Sequence, residues 1–154
     1  MIASPRSDRP NFPAIAISPD GHDVYLTYNN FLQPYQTTTA LPRLTQGVVR
    51  HADFSTIATW TDLHRGAVGD ARASSANALS SEFLGDYNSI QATNDFALAT
   101  WNDVRAAADC PAIDAYRESL LGETALPTPA PNNACPATFG NSDIWGGAFA
   151  DPTP

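Results

Sequence analysis

A chain of 154 residues carries sixteen Asp and Glu against eight Arg and no Lys, for a formal charge of −8. One core normally serves roughly 100–200 residues, so this length supports one modest domain and argues against a second. An acidic chain without a basic cluster also argues against duplex DNA and anionic membranes as main partners, since both are gripped by stripes of Lys and Arg. The apolar share of 43% is enough to build a core, and the charged share is only 16%. An average globular chain has about 25% charged residues. The surface must therefore lean on Ser, Thr, Asn and Gln, which suits an extracellular β-rich protein. No run approaches the ~18 apolar residues of a membrane span, and the N-terminus shows no basic start with an apolar stretch behind it, so no signal peptide is visible.

Residues 1–11 read as an irregular lead-in with two prolines. Residues 12–18 form a strand with Ile15 and Ile17 on one face, Pro19-Asp20-Gly21-His22 a turn, and residues 23–28 a second strand. Residues 31–45 are a loop rich in Thr, Gln and Pro. Strands are expected at 47–54 and 55–62, then a long polar stretch at 63–82 that is a candidate functional rim. A second hairpin joins residues 83–92 to 96–103 through Thr93-Asn94-Asp95. Three strands close on an aromatic and polar residues: Tyr28-Asn29-Asn30, Trp60-Thr61-Asp62 and Trp101-Asn102-Asp103. Such spacing is that of repeated β-sheet units.

Helix is expected only at 111–121, with Pro111 at its start, Ile113, Tyr116 and Leu120 on one face and Gly122 past its end. Residues 139–147 return as a strand. Cys110 and Cys135 each precede proline in loop-like sequence. A disulfide between them closes a loop of about 25 residues; two free thiols are the alternative. Cysteines of a secreted type without a secretion signal suggest that the chain lacks its natural N-terminal part.

At the second hairpin, Glu82-Phe83-Leu84-Gly85-Asp86-Tyr87-Asn88-Ser89-Ile90 followed by Thr100-Trp101-Asn102-Asp103-Val104-Arg105 resembles an element of bacterial secreted sialidase-like proteins, the six-bladed β-propellers with BNR repeats. The resemblance covers residues 12–121, with 122–154 as a Pro-rich C-terminal extension. It implies an all-β fold of antiparallel hairpins forming about two propeller blades, with one short helix and long loops. The Asp box of those propellers has no good copy here, and a full propeller needs over twice this length. The blades would thus belong to the C-terminal part of a longer propeller, completed by missing N-terminal blades or a partner chain.

The resemblance implies a glycoside hydrolase acting on terminal sialic acid, incomplete and inactive alone. Tyr87 would be the nucleophile, Glu82 and Asp86 the acidic groups beside it, and Arg72 and Arg105 forks for the substrate carboxylate. The competing readings are a core role for Tyr87 and loop-holding ion pairs for the arginines, Arg105 with Asp103 and Arg72 with Asp70. No cofactor is expected. His22, His51 and His64 show no zinc-ligand spacing, and Asp86, Asn88, Asn102 and Asp103 lack a Ca²⁺-loop pattern. The alternative function is a non-catalytic module that binds glycan or protein through residues 31–45 and 63–82.

Overall fold

The first hairpin is set by Asp20 and Gly21. The Asp20 carboxylate accepts from Ser18 Oγ at 2.6 Å and from the His22 backbone N–H at 3.1 Å. Gly21 takes a φ of +81°, which glycine adopts without a Cβ clash. Strands β1 (Arg9–Ile17) and β2 (Asp23–Phe31) leave this turn antiparallel. The computed structural model describes residues 8–74, 79–85 and 87–153.

The chain is mostly antiparallel sheet. β2 pairs with β3 (Leu44–Asp53) in unbroken register from Asp23↔Asp53 to Phe31↔Thr45. Both β4 (Thr61–Arg65) and the short β5 (Gly69–Asp70) pair with β3. A second sheet has the order β6 (Ser89–Ala92), β7 (Phe96–Asp103), β8 (Asp143–Ala150). Between β7 and β8 lie helix α1 (Pro111–Ser119), the single helical turn α2 (Pro131–Ala134) and the Cys110–Cys135 disulfide. Cys110, Ile113 and Phe139 form a small buried cluster around that bond.

The sheets pack face to face. Val49 of β3 meets Ala99 and Trp101 of β7, with Leu63, Ile90 and Phe149 around them. Such close approach is possible because β7 alternates small residues inward and because Gly47 faces the Trp101 ring. A Cβ on Gly47 would lie 2.1 Å from Trp101 Cδ1, inside any permitted contact. His64 stacks 5.0 Å from Trp101 and 5.6 Å from Phe149. Burial and the nearby Arg105 charge lower its pKa, with Asp103 opposing.

Several expectations change. β1 begins at Arg9, inside the expected lead-in, because the Arg9 backbone N–H finds Asn30 Oδ1 at 2.7 Å. Ile15 and Ile17 share a face, but it is the exposed one, at 62% and 55%. Ala14 and Ala16 alternate with them, paired with Thr27 and Tyr25 on the side that meets the second sheet. The expected strand at 55–62 is a 3₁₀ turn (Phe54–Thr56) and a loop, with β4 starting only at Thr61. Asp53 stops the strand by accepting from both Ser55 N and Ser55 Oγ at 2.6 Å. The polar stretch 63–82 is not structureless: it holds the end of β4, β5 and a 3₁₀ turn at Ala71–Ala73. Among the described residues of the segment 83–92 only Ser89–Ala92 is strand. α1 ends at Ser119 and buries Ile113, Asp114 and Arg117, while Leu120 stays exposed. Residues 122–154, expected as an extension, supply β8, paired with β7 from Phe96↔Ala150 to Asp103↔Asp143.

Two outcomes follow. Gly47→Ala forces a methyl into Trp101 and should cost about 1–3 kcal/mol, as overpacked cores do, read as a lowered midpoint in urea denaturation. The disulfide spans a sequence separation of 25. Replacing both cysteines by serine should lower stability by about 3 kcal/mol on the chain-entropy scale, with the folded circular dichroism spectrum retained below the transition.

Candidate functional site

The chemistry-bearing residues gather at the end of the first sheet where β1 starts and β2 ends. Between Asn11 and Ala14, β1 bulges, and Phe12 there takes a φ of +50°, a left-handed conformation that costs a bulky residue energy and is held only where its surroundings insist. The insistence comes from Asn88, whose Nδ2 donates to the Phe12 carbonyl at 2.8 Å. Beside the bulge lies a hollow of about 400 Å³ walled by Pro10, Phe31 and Tyr35, with Asn11, Gln36 and Arg43 as polar wall residues. A second hollow of about 140 Å³ shares Asn11, Phe31 and Arg43 and adds Phe12, Glu82 and Phe83. Tyr35, on the loop after β2, is 87% exposed.

Arg43 organises the groove. Its Nη2 donates to the carbonyls of Gln36 at 3.0 Å and Thr38 at 3.1 Å, and its Nη1 lies 3.1 Å from Glu82 Oε2. Three buried side-chain atoms in the same walls have no partner: Gln36 Oε1, Arg43 Nε and Glu82 Oε1. An unmade buried bond costs about 1–3 kcal/mol, so a polar ligand that bonds these atoms gains by it. Burial raises the Glu82 pKa, with Arg43 opposing it.

Behind the groove lies an ion network. Arg72 Nη1 donates to Asp114 Oδ2 at 2.7 Å and to the Thr39 carbonyl at 3.1 Å, while its Nη2 holds Asp70 at 2.8 Å and Asp109 at 3.0 Å. Burial pushes the Asp70 carboxyl up, but hydrogen bonds from Arg72 and from the Arg43 and Arg72 backbones outweigh it and hold it below the ordinary range. Arg117 reaches from α1 to the carbonyls of Leu79 and Arg72, both at 2.9 Å. The network fastens α1 to the loop beneath the groove.

The sequence-expected site residues are therefore not one constellation. Glu82 lines the smaller hollow. Arg72 is buried and fully engaged by aspartates. Arg105 donates from Nε to Asp103 at 2.8 Å and lies over the Trp145 ring, 4.0 Å from its centroid. Tyr87 is 83% exposed, which removes its core role. Asp86 lies outside the described residues. The groove residues Tyr35, Gln36 and Arg43 fall in the loop expected at 31–45, whose Thr, Gln and Pro content was the available signal. Arg43 and Phe31 could not be singled out, since neither belongs to a spacing pattern.

Among the described residues one group can hold a metal ion: Asp23, His51 and Asp151, whose ligand atoms all lie within 4.8 Å of one another. It sits at the far end of β2 from the groove.

Comparison with protein-family models, with curated proteins and with solved structures finds no match for this chain.

Asp114 supplies a pH test of the network. Burial is the largest influence on it and a hydrogen bond with Asp109 adds to that, so its pKa rises to about 7 against the pull of Arg72. The folded chain keeps this proton to higher pH than the unfolded chain. The group's stabilising contribution is complete below its ordinary value of 3.8 and is lost as pH rises to about 7. Asp114→Asn should flatten the fall in melting temperature between about pH 4 and pH 7. The check is a thermal melt series of both proteins across that range.

Proposed function

We propose that this chain is a non-catalytic glycan-binding module of a secreted protein, its two antiparallel sheets being blades of a sialidase-like propeller. The observation that carries the binding reading is the groove, where exposed and half-buried aromatic rings stand beside three unpartnered polar atoms. Sugars present apolar C–H faces and a rim of hydroxyls, and a groove of this composition answers both. Tyr35 and Phe31 stack on a ring face. Small rotations of Gln36 and Glu82 bring their free oxygens to sugar hydroxyls, and Arg43 Nε donates to a ring or hydroxyl oxygen.

Hydrolysis of a sialoside is less well supported by the same side chains. A carboxylate clamp needs open guanidinium forks, whereas Arg72 and Arg105 are already closed on aspartates. A Tyr nucleophile needs a base held against it in a sheltered site, and Tyr87 is 83% exposed. The blade reading draws support from the consecutive antiparallel order of each sheet and their face-to-face packing. The disulfide suits a non-reducing compartment.

A glycan array probed with the folded chain should give saturable binding to a restricted set of sugars. Tyr35→Ala should weaken it by about tenfold or more, the loss of one well-stacked aromatic anchor. Turnover of a fluorogenic sialoside by the same protein, lost in Tyr87→Phe, would instead establish the hydrolase reading. An empty array with no turnover would overturn glycan recognition by this chain.

A further inference from the structure

β2 runs from the groove to a second, chemically different place. Asp23 lies eight residues before Phe31, roughly 26 Å away at the rise of a strand. Asp23 and Tyr25 project from the same face of β2, since side chains alternate along a strand. His51 stands opposite Tyr25 in the β2–β3 register. Asp151 arrives from the other sheet, just past β8, where its backbone N–H donates to the Asp95 carbonyl at 2.8 Å. His51 Nε2 is 2.8 Å from Asp23 Oδ1 and 3.7 Å from Asp151 Oδ1. The three side chains are 2%, 5% and 7% exposed for His51, Asp23 and Asp151.

Charge is out of balance there. Two nearly buried carboxylates face one imidazole, and among the described residues no arginine pairs with either: the ion pairs of Arg43, Arg50, Arg65, Arg72 and Arg105 all lie elsewhere. The remaining polar contacts come from Thr153, whose backbone N–H donates to Asp151 Oδ1 at 2.8 Å and whose Oγ1 lies 3.0 Å from Asp151 Oδ1 and 3.4 Å from Asp23 Oδ1; both are neutral and leave the charge unbalanced. Buried carboxylates close together need a cation or a proton between them.

An independent observation comes from Tyr25. Its side chain is fully buried, its hydroxyl has no hydrogen-bond partner, and its ring centroid is 5.0 Å from that of His51. A buried phenol beside the His51 ring with its donor unused is a second sign that a polar partner is missing at this place.

We propose that Asp23, His51 and Asp151 bind one divalent transition-metal ion of the Zn²⁺ or Mn²⁺ class, with Tyr25 directed at a water that completes its shell. Bonds of about 2.0–2.2 Å to such an ion hold neighbouring ligand atoms roughly 3–3.6 Å apart. The observed separations of 2.8 and 3.7 Å need only small shifts to meet that spacing. An imidazole among the ligands selects this class over Ca²⁺ and Mg²⁺, which take oxygen. Because Asp23 and His51 belong to one sheet and Asp151 follows the last strand of the other, the ion is a cross-link between the two sheets. This proposal does not depend on glycan binding at the groove.

The test is metal titration of the chelator-stripped protein in a non-coordinating buffer, by calorimetry and thermal melting, with ZnCl₂, MnCl₂ and CaCl₂ in turn. One Zn²⁺ or Mn²⁺ per chain should bind saturably and raise the melting temperature, with Ca²⁺ much weaker. Asp151→Asn and His51→Gln should each lose about a hundredfold or more in affinity, since even outer partners of metal ligands are worth about 10–100-fold. Glu123→Gln, an exposed acid far from the cluster in sequence, should lose nothing. Should His51→Gln fail to fold, the Asp151→Asn titration and the visible spectrum of the Co²⁺-loaded wild type, which reports nitrogen ligation, carry the same decision. No saturable binding, equal affinity for Ca²⁺, or full affinity in the Asp23→Asn/Asp151→Asn double variant would each overturn the proposal.

Discussion

Asn29 donates from Nδ2 to the Asn102 carbonyl at 2.8 Å across the seam between the sheets, and the rest of the molecule is arranged around that bond. Asn88 completes it: its Nδ2 reaches Asn29 Oδ1 at 3.0 Å, and its Oδ1 accepts from the Asn102 backbone at 3.2 Å. Apolar packing alone lets two sheets slide, because it is non-directional. A fully bonded amide cluster in a low-dielectric seam allows one alignment. That alignment sets Gly47 beneath Trp101 and, through Asn88, bends β1 at Phe12 beside the groove. The groove thus combines inter-sheet registry, which sets its β1 wall, with the loop after β2, which supplies Tyr35, Gln36 and Arg43.

Positive charge is spent inside the molecule. Arg50 and Arg65 share Asp62, Arg65 also grips Asp8, and Arg72 gathers three aspartates. Arg117 donates to carbonyls in place of carboxylates. The planar fork of arginine suits such multi-point clamping and the ammonium of lysine does not, which accounts for a chain with arginine alone. Eight excess negative charges then fall largely to the exterior, where they oppose self-association.

The local signals in the sequence were readable where structure is decided locally. Strand β7 is legible residue for residue at 96–103, because a turn precedes it and alternation runs its whole length. The first hairpin is legible for the same reason, and the cysteine pairing because both thiols sit in loops. What failed was decided at a distance, apart from the local cap by which Asp53 holds Ser55. Asp53 ends β3 through a cap that resembles ordinary strand polarity. α1 turns a charged face inward because Asp70, Asp109 and Asp114 converge on Arg72 from separate segments. The groove loop was visible as a loop, but its wall depends on a bulge that only the Asn88 bond explains. Asp23, His51 and Asp151 share no spacing, since strand pairing and the end of β8 bring them together.

The last strand has a consequence for how the chain is made. β7 ends at Asp103 and its second neighbour, β8, begins only at Asp143. During synthesis one edge of β7 stays open until residues 104–142 have left the ribosome, and an open edge invites pairing with other chains. The entropy of closing that gap grows only with the logarithm of its length, by about 0.6 kcal/mol per doubling. Oxidation of Cys110 with Cys135 takes most of the intervening chain out of the path. Thiol chemistry in the biogenesis compartment thereby shortens the search of β8 for its place, and a reducing environment would leave the nascent protein exposed for longer.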